Sequence, residues 1–428
     1  MIKYFNAQND MDKIEKLIER TQMESEDVII KVNEIIKDVR ENGDKSINKY
    51  TLKFDGVDLK NIKVTDEEFK EAKENIDPKL KSSLEKAIDN ITEFHKKQIK
   101  KSFKFKKGSD IILGQLINPI EKVGIYVPGG TASYPSTVMM NVIPAKLAGV
   151  KDIVITTPAD KTGKIKDSVL VAADLLGVNS VYKIGGAQAI AGLSFGSETI
   201  PKVDKIVGPG NIYVAMAKRS VSGIVGIDMI AGPSEVLILA DESANHKYIA
   251  ADMIAQAEHD ERAASIVVTE CERIGGKIKE ELKIQLSKLD RREIAEKALT
   301  DYGAIILTSC KKETFEIANR LAPEHLEILT KDPFADYKKI KNAGAIFLGE
   351  YTPEPVGDYF AGPNHTLPTS RTSRFSSALS VDDFYKKTSL LYYSEKALKD
   401  AGEDIIRLAD DESLTGHANS IKVRMKGL

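Results

Sequence analysis

The sequence predicts an α/β fold, with two parallel-sheet domains between a helical N-terminal region and a helical C-terminal tail. From Val123 onwards, short apolar runs alternate with helical stretches such as residues 137–148, and this alternation resumes after Gly232. Strands and helices in turn are typical of parallel sheets with helices on both faces. The strand candidates are VGIYV, DIVITT, VYKIG and KIVG, then SEVLILA, ASIVVT, GAIILT, HLEIL and GAIFLG.

Helical patterning is predicted on both sides of this core. In the first hundred residues, apolar side chains such as Ile14, Leu17 and Ile18 recur at helical spacing between charges. After about Ser380 the chain again becomes charged and helical. We therefore expect a helical region over residues 1–120, which packs on the second α/β domain. The two α/β domains follow over residues 121–233 and 234–380, and a helical tail over residues 381–428.

Composition indicates an ordinary globular protein with more than one core. The chain has 428 residues, 42% of them hydrophobic and 29% charged, with a net charge of −2, which argues against a disordered or polyanion-binding protein. We expect no membrane insertion, because the N-terminus lacks a signal-peptide pattern and no long stretch is free of charge. Two distant cysteines, Cys271 and Cys310, fit a reducing compartment. We expect a cytoplasmic protein.

A lysine-rich segment around Phe103 and Phe105 is the one feature that suggests RNA binding, since it combines basic and aromatic side chains. Lysines also discourage sheet-to-sheet pairing when they lie on an exposed edge strand. Because the rest of the chain has no positive excess, we favour the edge strand and expect no nucleic-acid partner.

Two short motifs offer candidate proton-transfer or metal-binding side chains. In AQAEHDER, Gln256 and His259 are three residues apart and share one face if the segment ends a helix. From spacing alone, a solvated helix end is the simpler interpretation of that pair. In LAPEHLEI, Glu324 and His325 stand at the entrance to a predicted strand and offer bases for two different protons, or else a capping pair.

Polar loops supply further candidates. Asp358 and His365 lie in a long segment rich in glycine, proline, serine and threonine, and long loops inside compact domains are usually functional. Glu412 and His417 flank a glycine in the tail, where two surface residues are the simpler interpretation. Since ligands of open parallel sheets bind beyond the carboxyl ends of the strands, we expect the chemistry in the loops after each strand.

Three glycine-rich turns follow predicted strands and precede helices, so their backbone amides suit an anionic or phosphate ligand. They are VPGGTASYPST, IGGAQAIAG and VGPGNIY, and none matches the GxGxxG dinucleotide fingerprint. Spacing alone thus leads to an α/β enzyme with glycine-lined loops and a possible metal site, and leaves the cofactor and substrate open.

Longer ordered strings make the chain resemble the histidinol dehydrogenase family over nearly its whole length. They are YVPGGTASYPSTVMMN, GGAQAIAGLSFGSETIPKVDKIVGPGN, DMIAGPSEVLILAD, AQAEHDER, APEHLEI, GDYFAGPNHTLPT and ESLTGHANSIKVR. The resemblance implies two incomplete Rossmann-like domains. It also implies two successive NAD-dependent oxidations of L-histidinol to L-histidine through histidinaldehyde, with one zinc ion per subunit.

The same resemblance assigns roles to individual residues. It implies Glu324 as the activator of water and His325 as the general base. The implied zinc ligands are Gln256, His259, Asp358 and His417. The implied substrate-binding residues are Ser234, Gln256, His259, His325, Asp358, His365, Glu412 and His417, and those lining the NAD site are Tyr126, Gln188 and Asn211.

The resemblance further implies a homodimer whose active sites are shared, because Glu412 and His417 must reach a zinc site far away in the chain. Three other functions remain as alternatives. One is a related zinc and NAD dehydrogenase of another small polar alcohol. Another is a zinc hydrolase in which Glu324 activates water. The third is a binding protein without catalytic activity.

Overall fold

The computed structural model describes residues 2–18, 26–129 and 133–426. Its chain forms two compact units: the first comprises residues 1–98 and 121–383, and the second comprises residues 99–120 and 384–428. Among the described residues, no helix is long and apolar enough to cross a membrane.

The N-terminal part of the first unit is mostly helical, as predicted, but it begins with a strand. From Glu26 onwards its helices pack chiefly on helices of the first parallel sheet, as Glu26–Asp55 does on Gly186–Phe195, and not on the second α/β domain as expected. The prediction of helix was wrong for Lys3–Asn6, which pair with a strand about 300 residues later in the chain, because a four-residue edge strand is too short to show a pattern. The elements are β1 (Lys3–Asn6), α1 (Met11–Ile18), α2 (Glu26–Asp55), α3 (Asp66–Asn75) and α4 (Pro78–Lys96), followed in the second unit by β2 (Phe103–Lys107) and β3 (Ile111–Pro119).

The first parallel sheet has five strands in the order β6-β5-β4-β7-β8. All four strand pairs are parallel, which confirms the predicted α/β alternation. The elements are β4 (Lys122–Tyr126), α5 (Pro135–Ala148), β5 (Asp152–Thr156), α6 (Asp167–Leu175), β6 (Val181–Tyr182), α7 (Gly186–Phe195), β7 (Lys205–Val207), α8 (Ile212–Val221) and β8 (Gly226–Ile227).

The second parallel sheet has six strands in the order β1-β11-β10-β9-β12-β13. Without β1, its strand order repeats that of the first sheet, so each sheet is doubly wound and Rossmann-like but incomplete, because it lacks a sixth strand. The elements are β9 (Glu235–Ala240), α9 (His246–Ala257), β10 (Ala264–Thr269), α10 (Glu272–Leu286), α11 (Arg292–Tyr302), β11 (Ala304–Leu307), α12 (Lys311–Leu321), β12 (His325–Leu329), α13 (Pro333–Asp336), β13 (Ala345–Leu348) and α14 (Glu354–Tyr359).

The chain passes from one sheet to the other through a short connection. It leaves β8 at Ile227 and enters β9 at Glu235. A strand that ends and a strand that begins a few residues later bring the carboxyl edge of the first sheet close to the amino edge of the second. Loops from both edges therefore meet.

The second unit contains an antiparallel sheet of order β14-β3-β2 and a pair of helices. Its remaining elements are β14 (Tyr385–Tyr393), α15 (Glu395–Asp411) and α16 (Thr415–Lys426). The prediction of an exposed edge strand in the lysine-rich segment is confirmed, because β2 lies at the sheet edge and is exposed along its length. The prediction of a purely helical tail was wrong, because β14 pairs with β3 over nine residues.

Candidate active site

A cavity of about 410 Å³ lies between the facing edges of the two parallel sheets in the first unit. One wall consists of loops that follow strands of the first sheet, and these include Gly208, Asn211 and Asp228. The other wall includes Ser234, His259, Glu324, His325, Glu354, Asp358 and His365. The expectation that all the chemistry follows the strands was wrong for the second sheet. Ser234, Glu324 and His259 precede β9, β12 and β10, because the short β8–β9 connection presents the amino edge of this sheet.

Glu324 and His325 are both buried and both bound to the start of β9. The backbone N–H of Glu235 donates to Glu324 Oε2 at 2.9 Å, and His325 Nδ1 lies 3.1 Å from the carbonyl oxygen of Glu235. A carbonyl only accepts, so Nδ1 carries the hydrogen in the neutral ring. His325 Nε2 is then the free acceptor, and it has no hydrogen-bond partner among the described residues.

Burial gives the Glu324 carboxyl an unusual affinity for a proton. Desolvation raises its pKa to about 7, although the neighbouring His325 and the Glu235 N–H lower it. A carboxyl with this pKa both releases and accepts protons near neutral pH. The arrangement therefore suits acid–base chemistry.

The His325 ring is surrounded by carboxylates. Burial by itself lowers its pKa, but the charges of Glu354, Glu324 and Asp358 raise the pKa well above the ordinary value. One ligand atom each from His325, Glu354 and Asp358 lie within 4.8 Å of one another. The site therefore favours a positive charge, which a metal cation supplies as well as a proton does.

Gln256 lies in the last turn of α9 and His259 lies just after it, in agreement with the predicted helix end. Gln256 is completely buried, and neither its Oε1 nor its Nε2 has a hydrogen-bond partner among the described residues. An orphaned buried amide is costly unless a ligand satisfies it. His259 follows the helix and opens onto the cavity; desolvation lowers its pKa, and the charge of Asp358 opposes this shift.

Asp358 lies in the short helix α14, whereas the sequence placed it in a loop. Its Oδ1 lies 3.7 Å from His325 Nε2. His365 follows in the adjoining loop, with Nδ1 3.1 Å from the backbone oxygen of Asp358 and Nε2 3.4 Å from Thr137 Oγ1. Since Thr137 belongs to α5, His365 joins the two walls of the cavity.

The residues expected to line the NAD site lie at the carboxyl edge of the first sheet. Asn211 lines the cavity and caps α8, where its Oδ1 accepts from the N–H groups of Tyr213 and Val214. Tyr126 is buried, and its hydroxyl accepts from the Gly186 N–H at 3.1 Å. Gln188 is also buried, without a partner for either amide atom among the described residues.

The glycine-rich turns do connect strands to helices, as predicted, although residues 130–132 of the first turn lie outside the described residues.

Glu412 and His417 belong to the second unit. Glu412 caps the C-terminal end of α15, and its N–H donates to the Leu408 oxygen at 3.2 Å. His417 lies in the first turn of α16 and is exposed. Their approach to the cavity of the first unit remains a prediction.

Sequence reasoning missed a group of buried carboxyls beside the candidate site. Glu327 Oε1 accepts from the Glu354 N–H at 3.0 Å. Burial, followed by the charge of Asp252, raises the pKa of Glu327, and burial raises that of Glu354 to about 8. One signal was available, because Glu354 and Asp358 are four residues apart directly after Pro353, which favours a helix start.

Two open parallel sheets that share a cavity with acid–base side chains define an α/β enzyme. A family model described as histidinol dehydrogenase matches residues 18–425. The histidinol dehydrogenase of Clostridium acetobutylicum is 56% identical over 412 residues, covering 96% of both chains. That of Caldanaerobacter subterraneus is 54% identical and covers 98% of both. A crystal structure of histidinol dehydrogenase from Elizabethkingia anophelis has a TM-score of 0.94 at 37% identity, covering 100% of this chain and 98% of that one. The chain belongs to the histidinol dehydrogenase family, whose members are oxidoreductases of histidine biosynthesis.

Gly344 tests how tightly the backbone of Glu324 is held. A Cβ at Gly344 would lie 2.6 Å from the Glu324 carbonyl oxygen, so Gly344→Ala must shift the segment that carries Glu324 and His325. We expect the family's dehydrogenase activity to fall by about tenfold to a hundredfold in kcat/KM. Gly276→Ala, in α10 with open space around it, is the control and raises the free energy of unfolding by roughly 0.5–1 kcal/mol. Wild-type kcat/KM in Gly344→Ala contradicts the prediction.

Proposed function

We propose that this chain oxidises L-histidinol to L-histidine through histidinaldehyde, with NAD as the oxidant and one zinc ion per subunit. The observation that carries the proposal is the Glu324–His325 pair on the cavity wall, in which one imidazole nitrogen is fixed and the other is free. Family membership supports the dehydrogenase reaction. NAD, when bound, accepts a hydride in each oxidation, and zinc, when bound, orients the substrate and offsets the charge of the carboxylates.

His325 takes the proton of the substrate hydroxyl in our proposal. Hydride leaves the carbinol carbon only as the hydroxyl proton departs, so a base must lie within hydrogen-bond reach of that oxygen. In the neutral ring, His325 Nε2 meets this need because the Glu235 carbonyl keeps the hydrogen on Nδ1. The carboxylates that raise the pKa of His325 favour the protonated ring, and a zinc ion, when bound, would offset their charge. The contact also fixes the direction of the lone pair.

Glu324 activates water for the second oxidation. The aldehyde must add water before a second hydride is removed, and this step needs a base directed at water. Glu324 lines the same cavity, and its pKa of about 7 lets it take that proton near neutral pH. The two adjacent residues thus serve two different protons.

The proposed zinc ligands are Gln256, His259, Asp358 and His417. Two nitrogen and two oxygen donors suit this borderline-soft ion. The orphaned Gln256 amide and the carboxylate field around His325 support a cation here. Glu354 is a further carboxylate available to that cation.

NAD fits the carboxyl edge of the first sheet, and we propose that Tyr126, Gln188 and Asn211 line its site. The glycine turns before α7 and α8 let the backbone approach a pyrophosphate closely at these helix starts, where the N–H groups of Gly186, Tyr213 and Val214 already have side-chain acceptors. The unpartnered Gln188 amide supports a polar ligand nearby. Ser234, His365 and Glu412 complete our proposal as contacts of the substrate.

We propose a homodimer with shared sites. In the second unit, the strand register places Phe103, Phe105, Leu113 and Leu391 on one face of the antiparallel sheet. Phe105 is 54% exposed and Leu391 is 68% exposed. Exposed contiguous apolar surface marks an interaction site, and a second copy suits it. The partner's tail then supplies Glu412 and His417.

Glu324→Gln separates the two oxidations. We expect the amide to leave alcohol oxidation measurable and to slow histidinaldehyde oxidation by about 10²–10⁴-fold, because the base for water is lost. NADH formed per histidinol, followed by absorbance, should fall from about two towards about one. The matched control is Glu316→Gln, whose parent side chain is 64% exposed in α12. Equal loss of both steps in Glu324→Gln, with unchanged stoichiometry, contradicts this role.

Chelation tests the metal. We expect treated protein to lose activity, to keep its circular dichroism spectrum and to recover with Zn²⁺, since the site lies at a cavity between two complete sheets. Gln256→Ala should lower the zinc content, measured by atomic absorption, well below about one ion per chain. Gln285→Ala is the control, because Gln285 also occupies the penultimate position of a helix. A metal-free chain with full activity excludes the proposed zinc role.

Mixed dimers test whether sites are shared. Glu324→Gln and His417→Ala, each expected to be unable alone to convert L-histidinol fully to L-histidine, are unfolded together and refolded, and the formation of L-histidine is measured. If each site takes Glu324 from one chain and His417 from the other, the heterodimer has one intact site. Random pairing then restores roughly a quarter of wild-type activity. No recovery in demonstrably mixed dimers shows that each chain completes its own site.

A further inference from the structure

A buried ion pair behind the glycine turn Gly208–Asn211 is not used by the proposed reaction. Lys218 of α8 is 2% exposed at its side chain and pairs with Asp228, which is 1% exposed and directly follows β8. Lys218 Nζ also donates to the Gly208 carbonyl oxygen at 2.9 Å. Asp228 Oδ2 accepts from the Gly208 N–H at 2.8 Å. The two charges therefore hold both backbone polar groups of one glycine.

The glycine itself leaves little freedom at this turn. Gly208 has φ +109°, and a Cβ there would lie 2.1 Å from the Tyr126 carbonyl oxygen. Only a glycine fits this close approach of two strand ends. The turn continues to Asn211, and both ends of it line the cavity.

Asp228 also fixes the start of the connection between the sheets. Its Oδ1 accepts from the Met229 N–H at 2.6 Å. The connection continues to Ser234 on the opposite wall of the cavity. A single carboxylate thus ties the glycine turn to the segment that sets the spacing of the two walls.

Stability alone is a weak reason for such a pair. Desolvation of two charges offsets most of their attraction, and well-packed neutral side chains often replace a buried ion pair without loss of stability. The pair instead offers directional contacts to a particular backbone geometry. That geometry lies where our proposed function puts NAD.

We propose that Lys218 and Asp228 are positioning residues that hold the Gly208–Asn211 turn in the shape that binds NAD. This inference rests on the proposed function. It concerns cofactor affinity and not the chemistry of Glu324 and His325. Neither ion-pair side chain needs to touch the cofactor, since each acts through the backbone of Gly208.

The decisive variant is the double substitution Lys218→Met/Asp228→Asn. It removes both charges, keeps similar volumes and retains one acceptor near Gly208, so we expect it to fold. Isothermal titration of the zinc-loaded protein with NAD should give a Kd about tenfold higher than that of the wild type or more. The backbone amides of Gly208, Gly210 and Asn211 should exchange hydrogen faster. Asp228→Asn alone should weaken NAD binding further, since it leaves Lys218 buried without its counter-charge.

Asp336→Asn is the matched control. Asp336 is also 1% exposed and pairs with Lys311, but it lies beyond the carboxyl end of β12 in the other sheet. We expect a lower Tm and an unchanged Kd for NAD. A double variant that binds NAD as the wild type does overturns the inference alone. A wild-type chain that binds no NAD overturns the proposed function as well.

Discussion

The candidate site depends on one topological constraint, the short passage from β8 to β9. Ile227 ends the first sheet and Glu235 begins the second. So short a connection leaves no room for a helix between the two sheets. The carboxyl edge of the first sheet therefore faces the amino edge of the second sheet. Glycine turns after strands of one sheet thereby face Glu324 and His325 before a strand of the other. Two doubly wound sheets of the same strand order thus contribute different side chains to one cavity.

Within that cavity, the start of β9 holds the side chains of the candidate pair Glu324 and His325. The N–H and carbonyl of Glu235 contact Glu324 and His325 respectively. Because these backbone atoms also belong to a central strand, their positions are held by the sheet. Side chains that are hydrogen-bonded to such a strand therefore keep their orientation when a ligand binds. The carboxylates of Glu354 and Asp358 then add a field that favours a cation.

Alternation of apolar runs with helical stretches predicted the two parallel sheets, because most of their strands carry four to six residues of apolar pattern. Strand β8 has two residues and was not among the predicted strands. The helix at Gln256 was also predicted, and Asn245 caps its start. Strand β1 was missed since four residues carry too little pattern, and β14 was missed because its partner β3 is far away in the chain. Glu354 was missed because its one signal, a spacing of four residues to Asp358 after Pro353, has a meaning only if the segment is helical, and the segment was predicted as a loop. Similarity to a family, and not periodicity, supplied the substrate and cofactors.

The buried side chains around the cavity differ in how their polarity is satisfied, and this difference separates two kinds of constraint. Lys218 and Asp228 are fully engaged by each other and by the backbone, so they specify a shape in the folded chain by itself. Gln256, Gln188 and His325 Nε2 have no partner among the described residues. Burial of such groups costs free energy unless a ligand joins them. The first set therefore builds the cavity, and the second set makes its stability depend on what the cavity binds.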